Sequence, residues 1–143
     1  MIEIEKNIRT FLNQLISHYP QIKSIWLFGS RANHMNRIDS DWDFLIFANQ
    51  ELLDSLEKNP SLKLQNVHLL VVFNNNDFKD PWCKQGGSLT NWKWEQISPK
   101  RAKYWEIKWL SDGRLSEIPD AEEGEFQECE RIAIKIWPYD SHS

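Results

Sequence analysis

The sequence predicts an α/β or α+β domain, a sheet with helices packed against it, and three observations carry the prediction. Three short apolar runs, Ser24–Phe28, Asp41–Ala48 and Val67–Phe73, are set off by Gly, Ser and Asn residues and read as buried strands. Segments with apolar residues three and four positions apart flank or separate them, as helices lying on a sheet would. The chain has 143 residues, 41% hydrophobic and 27% charged. That is one domain, long enough to bury about 70% of its unfolded surface without disulfides or metal.

The elements follow in order. Residues 3–18 place Ile4, Ile8, Phe11, Leu12, Leu15 and Ile16 at helical spacing, and Pro20 follows the end. Ser24–Phe28 is a strand ended by Gly29-Ser30, after which residues 31–36 are expected to form a short helix. Asp41–Ala48 begins by alternating and becomes continuously apolar, the pattern of a central strand. Residues 51–57 are a helix stopped by Asn59-Pro60, and Val67–Phe73 is the third strand. The turn-rich Asn74–Asp77 closes a first unit, drawn at residues 1–78. Residues 79–143 form a Trp-rich extension expected to pack on the same domain. There, residues 104–110 alternate, Asp112-Gly113 signals a hairpin turn, and residues 114–118 are the return strand. Asp120 followed by Glu123 fits a capping box. The helix it would open runs to about Trp137, with Phe126, Ile132, Ala133 and Ile136 as its apolar positions. The extension is thus a C-terminal β-hairpin and a helix.

Composition removes several classes of function. A net charge of −4 argues against an extended nucleic-acid surface. No apolar run approaches the about 20 residues needed to cross a bilayer, so no membrane partner is expected. The first residues, Met1-Ile-Glu-Ile-Glu-Lys, carry acids where a secretion signal is basic, and a cytoplasmic location is expected. Cys83 and Cys129 form no metal or redox motif and read as unrelated reduced thiols. Six of the eight tryptophans fall between Trp82 and Trp137. Trp105 and Trp109 read as a core stripe, whereas Trp82, Trp92 and Trp94 suit stacking on a base, covering an acceptor or anchoring a protein partner.

The chemistry concentrates in residues 27–47. Gly29-Ser30 stands where a buried strand ends, so the backbone can approach a ligand closely. The N–H groups of the helix expected to follow would favour phosphate, with the Ser30 hydroxyl and the nearby Arg31 and Arg37 adding to the site. Asp41 and Asp43, two apart at the start of a strand, share one face. Carboxylates so close repel unless a cation stands between them, and a hard divalent ion meets that need. A phosphate cradle beside an acidic metal site is the equipment of phosphoryl or nucleotidyl transfer.

These residues resemble the minimal nucleotidyltransferases, small members of the DNA polymerase β superfamily, whose signature is Gly-Ser, ten residues, then Asp-x-Asp. Here Gly29-Ser30 is followed by ten residues and Asp41-Trp42-Asp43, with Arg31-Ala32 after the first pair, Ser40 before the first acid and Phe44-Leu45-Ile46 behind the second. The likeness covers about residues 1–75. It implies a mixed sheet flanked by helices, an NTP substrate (ATP foremost) with Mg²⁺ or Mn²⁺, and transfer of a nucleoside monophosphate to an acceptor hydroxyl. It also implies nucleotide-phosphate contacts at Gly29 and Ser30 and metal at the catalytic Asp41 and Asp43, while the positive charge of Arg31 beside them makes it a further phosphate-binding candidate. The chain departs from the family at the next strand, where Val67-His68-Leu69-Leu70 puts His68 in place of the expected third carboxylate. An imidazole is a poor ligand for a hard cation but a competent base near neutral pH. His68 is therefore either a catalytic base or a satisfied core histidine. Asp77, Asp80 and Glu106 are the acids that stand as substitutes. Two functions follow from the likeness: an enzyme, with a protein acceptor as in toxin–antitoxin pairs, or a catalytically reduced scaffold acting as an antitoxin, an immunity-type inhibitor or a nucleotide sensor.

Overall fold

The computed structural model describes residues 4–109 and 126–138. The elements run α1 (Lys6–His18), β1 (Ser24–Phe28), β2 (Trp42–Phe47), α2 (Gln50–Glu57), a 3₁₀ turn (Pro60–Leu62), β3 (Val67–Val72), β4 (Asp77–Lys79), β5 (Gly86–Ser88), β6 (Glu95–Ser98), β7 (Arg101–Trp109) and β8 (Phe126–Trp137). The eight strands of the described residues join one sheet in the order β5-β4-β3-β2-β1-β8-β7-β6. β2 and β3 are parallel, connected by the crossover that contains α2. Every other neighbouring pair is antiparallel. No helix among the described residues is long and apolar enough to cross a membrane.

The apolar runs are explained by burial on both faces of the sheet. Successive side chains of a strand point to opposite sides. Ile25 and Leu27 of β1, Phe44 and Ile46 of β2, and Leu69 and Val71 of β3 pack against α1 and α2. Trp26 and Phe28, Leu45, and Leu70 and Val72 enter a second core on the other face. Among the described residues no helix covers that side. Leu89, Trp92 and Trp94, from the irregular segment between β5 and β6, form its roof together with Tyr104 of β7. Trp94 meets Trp26 edge-on at 5.3 Å between ring centroids, and Trp92 lies 4.7 Å from Phe78. Trp82 is elsewhere: its Nε1–H donates to Leu56 O at the end of α2.

Two expected helices are absent. The segment expected as the last part of a helix reaching Trp137 is instead the twelve-residue strand β8. Ile132, Ile134 and Ile136 stand at every second position, a β-branched alternation suited to a pleated sheet. Pairing decides the outcome: without β8, the buried strand β1 would leave an open apolar edge, and β8 covers it while pairing with β7 along nine residues. The expected short helix at 31–36 is a set of turns, with Asn33 N–H and Met35 N–H both donating to Ser30 O. His34 sits at φ +57°, which ends any helical run there. Gly86-Gly87-Ser88 is the edge strand β5, paired with β4. The hairpin turn at Asp112-Gly113, the return strand 114–118 and the cap at Asp120 lie outside the described residues. The division at residue 78 falls inside β4, and β6, β7 and β8 continue the same sheet.

Candidate functional site

The site begins where β1 stops. Gly29 adopts φ +77°, a conformation that disfavours any residue with a side chain. Its neighbour across the ladder excludes one outright: a Cβ at Gly29 would collide with Oδ2 of Asp43. Backbone and carboxylate thus touch, and only glycine permits it. Two contacts from the distant half of the chain fix the turn. Gly29 N–H donates to Tyr104 Oη at 2.9 Å. The Asn33 side chain donates to Gly29 O at 2.8 Å, donates to Ile132 O at 3.1 Å, and accepts from Ile132 N–H at 2.7 Å. β7 and β8 therefore hold the Gly29-Ser30 turn from outside the local sequence. Burial pushes the Tyr104 hydroxyl up to about 12, although the Gly29 N–H works in the other direction. The group stays a phenol at neutral pH and can donate its own proton.

A cleft of ≈ 690 Å³ opens beside this turn. Gly29, Ser30, Asp43 and His68 contribute its polar part, and Trp92, Tyr104, Trp105 and Glu106 come from the roof and β7. Flat aromatic faces next to a few convergent polar groups are the usual make-up of a small-molecule site.

His68 stands opposite Asp43 in the parallel β2–β3 register. Its Nδ1 lies 3.3 Å from Asp43 Oδ1 and its Nε2 lies 3.3 Å from Asp80 Oδ2. Asp80 is 3% exposed, the one charged side chain buried among the described residues. Its Oδ1 accepts Trp82 N–H at 2.8 Å, and the imidazole answers the other oxygen. A buried carboxylate requires such partners. The hydrogen bond to Asp43 raises the His68 pKa, and the charges of Asp43 and Asp80 add to it against desolvation. The histidine is thus neither a plain core residue nor free, but a bridge between two carboxylates at 27% side-chain exposure.

The remaining predicted residues lie around this centre. Asp41 precedes β2, is exposed, and borders a neighbouring hollow with His68 and Asp80. The Arg31 guanidinium donates to Ser40 O at 3.1 and 2.8 Å and lies 4.2 Å over the Trp42 ring. In this structure it holds the chain leading into Asp41 and does not line the cleft. His34 is an exposed turn residue, and Asp77 accepts a hydrogen bond from Asn74 in its own turn. Sequence reasoning missed Asn33 and Tyr104, whose partners lie 99 and 75 residues away. No local signal marks them.

Among the described residues no three Asp, Glu, His or Cys side chains gather as a metal cluster. Asp41 and Asp43 offer carboxylate oxygens, while His68 occupies the register position facing Asp43. Two carboxylates do not make an all-protein cage; a Mg²⁺ held by them would take its remaining ligands from substrate phosphates and water.

The sequence profile of the family described as "Polymerase beta, Nucleotidyltransferase" matches residues 11–89, more than half of the chain. The chain belongs to that family. No curated protein matches it. The matched span of this polymerase β-type nucleotidyltransferase domain runs from α1 through the start of the roof. It contains Gly29, Ser30, Asp41, Asp43, His68 and Asp80. β7 and β8, which fix the Gly29 turn, lie beyond it.

Proposed function

We propose that the protein binds a nucleoside triphosphate, ATP foremost, with Mg²⁺ or Mn²⁺ in this cleft and transfers its nucleoside monophosphate to an acceptor hydroxyl. The observation that carries the reading is the contact between Gly29 and the Asp43 carboxylate on the wall of an aromatic-lined cleft. The Asp43 carboxylate fills the space a Gly29 side chain would take, so an acid stands directly against the Gly29-Ser30 turn, where a divalent cation would join it to a phosphate. Family membership supports the same reaction. The Ser30 hydroxyl donates to a phosphate oxygen. Asp41 and Asp43 hold the metal, whose charge offsets that of the phosphates. Trp92 presents a face for the base. Arg31 acts indirectly, by fixing the segment before Asp41. The acceptor is a protein hydroxyl, as in toxin–antitoxin pairs, and the cytoplasm is the place where the nucleotide is supplied.

The test is a titration with ATP, GTP, CTP and UTP, with and without Mg²⁺, followed by tryptophan fluorescence. It is paired with transfer from α-labelled nucleotides in a lysate of the source cell. Asp43→Ala and Asp41→Ala should lose Mg²⁺-dependent binding by at least about tenfold, the loss of about 1.4 kcal/mol of binding energy, while keeping the native circular dichroism spectrum. Binding unchanged in both variants overturns the site.

A second reading draws on His68. With an imidazole facing Asp43 and bonded to it, β3 supplies no third carboxylate. A scaffold so altered would bind a partner, as an antitoxin or immunity protein does, and the net charge of −4 suits a basic one. Nucleotide binding without any label transfer, together with capture of a basic protein, would favour it.

A further inference from the structure

Three acids stand as replacements for the carboxylate missing from β3, and their placement separates them. Asp77 accepts from Asn74 within the β3–β4 turn and is not on the cleft. Asp80 is closed in behind His68, with one oxygen on Trp82 N–H and the other on the imidazole. Glu106 is on the cleft wall with Gly29, Ser30 and Asp43.

Its position is built. Tyr104 and Glu106 are two apart on β7 and share a face of the strand. Because the Tyr104 hydroxyl accepts Gly29 N–H, that face looks across the Gly29-Ser30 turn. Arg131 of β8 stands opposite Tyr104 in register, diagonal to Glu106. Its side chain is 14% exposed, and its Nε donates to Glu106 Oε2 at 3.0 Å. The bond engages Oε2 alone, and the Glu106 side chain stays 44% exposed, which keeps its second oxygen accessible. A half-buried cation thus fixes an accessible carboxylate on the wall of the cleft that holds Gly29, Ser30 and Asp43.

We propose that Glu106 is a catalytic residue of this site, the acceptor-side carboxylate, supplied from β7 rather than from β3. The proposal rests on the nucleotidyl transfer put forward above. In that reaction the acceptor oxygen bonds to the α-phosphorus, and the bond from that phosphorus to the departing pyrophosphate breaks. The acceptor's proton passes to Glu106 Oε1. Arg131 is a positioning residue that acts through Glu106.

The experiment uses the full chain with Glu106→Gln and Glu106→Asp, each checked for an unchanged melting temperature. Two quantities are read: the Kd for Mg²⁺-ATP by tryptophan fluorescence, and label transfer from α-labelled ATP in the lysate. Glu106→Gln should bind ATP within about twofold of the parent, yet transfer at least about 10²-fold more slowly, the size of a lost general base. Glu106→Asp should recover part of that rate. Transfer by Glu106→Gln at the parent rate overturns the role of Glu106 and leaves the proposed function standing. A parent protein that binds ATP without transferring it overturns this role along with the transfer reading. A parent that binds no nucleotide overturns the proposed function itself, and the role of Glu106 with it.

Discussion

Ile25 and Leu27 of β1 face two amphipathic helices, whereas Trp26 and Phe28, one residue along, face a layer without a helix. The two faces of one sheet are thus filled by different means. On the first, α1 and α2 supply Ile8, Phe11, Leu12, Leu15, Leu52, Leu53 and Leu56, all buried. On the second, Leu89, Trp92 and Trp94 lie across the strands with Tyr104, ring against ring at 5.2–6.3 Å between Trp92 or Trp94 and Tyr104. The helical side is closed. The aromatic side is an incomplete roof, and the cleft with Gly29, Asp43 and His68 opens beside Trp92. The comparison teaches that the extension does two jobs. It completes the second core, and through Tyr104 and Asn33 it holds the turn at the site.

The largest effect that sharpens this contrast is in the closed core. Phe44 is fully buried beneath the helices, so Phe44→Ala should cost about 3–5 kcal/mol in urea unfolding. Trp92 is only half-buried and already borders open space, so Trp92→Ala should cost about 1–2 kcal/mol, less than the transfer and cavity terms of a sealed site. It should also weaken ATP binding. Equal losses for the two variants would mean that the roof is as sealed a core as the helical side.

Gly29→Ala should come next. It forces a side chain into left-handed φ and against Asp43, a strain of about 1–3 kcal/mol, and it should abolish nucleotide binding. Removing the obstacle in Gly29→Ala/Asp43→Ala should restore part of the stability but none of the binding. A double variant no more stable than Gly29→Ala would show that the cost is all in φ and that the carboxylate does not crowd this position.

What the sequence makes visible divides along the same line. α1, α2 and the strands β1, β2 and β3 are legible because each carries its pattern within a few consecutive residues, and Gly29, Ser30, Asp41 and Asp43 are legible by their spacing. β4, β5 and β6 are three or four residues long, too short for a period to register. β8 fits either period at Ile132, Ala133 and Ile136, and an acid-rich start favours the helix. Its true state depends on the open edge of β1, which no local window contains. His68 is visible as a departure, but its meaning is not. Asp80, which sits on its far nitrogen, lies twelve residues on and is brought there by the turn into β4.

That bridge yields the smallest effect, a dependence of stability on pH. In the unfolded chain the imidazole titrates near its ordinary 6.5, whereas in the fold the Asp43 hydrogen bond and the charges of Asp43 and Asp80 hold the proton to higher pH. Below 6.5 both states carry the proton and the full stabilisation is present. As pH rises above 6.5 the unfolded chain releases its proton first, so fewer protons are bound there than in the fold, and stability falls. The decline ends once folded His68 has also lost its proton. Urea unfolding between pH 5.5 and 9 should show this loss, with a slope of no more than about one proton. His68→Asn should remove this component of the slope while keeping an N–H group from which Asp80 can accept. A slope unchanged in His68→Asn would mean that the imidazole carries no extra proton in the fold. The Asp43–His68–Asp80 bridge would then be held by neutral hydrogen bonding alone, and Asp43 would face the cleft without a neighbouring positive charge.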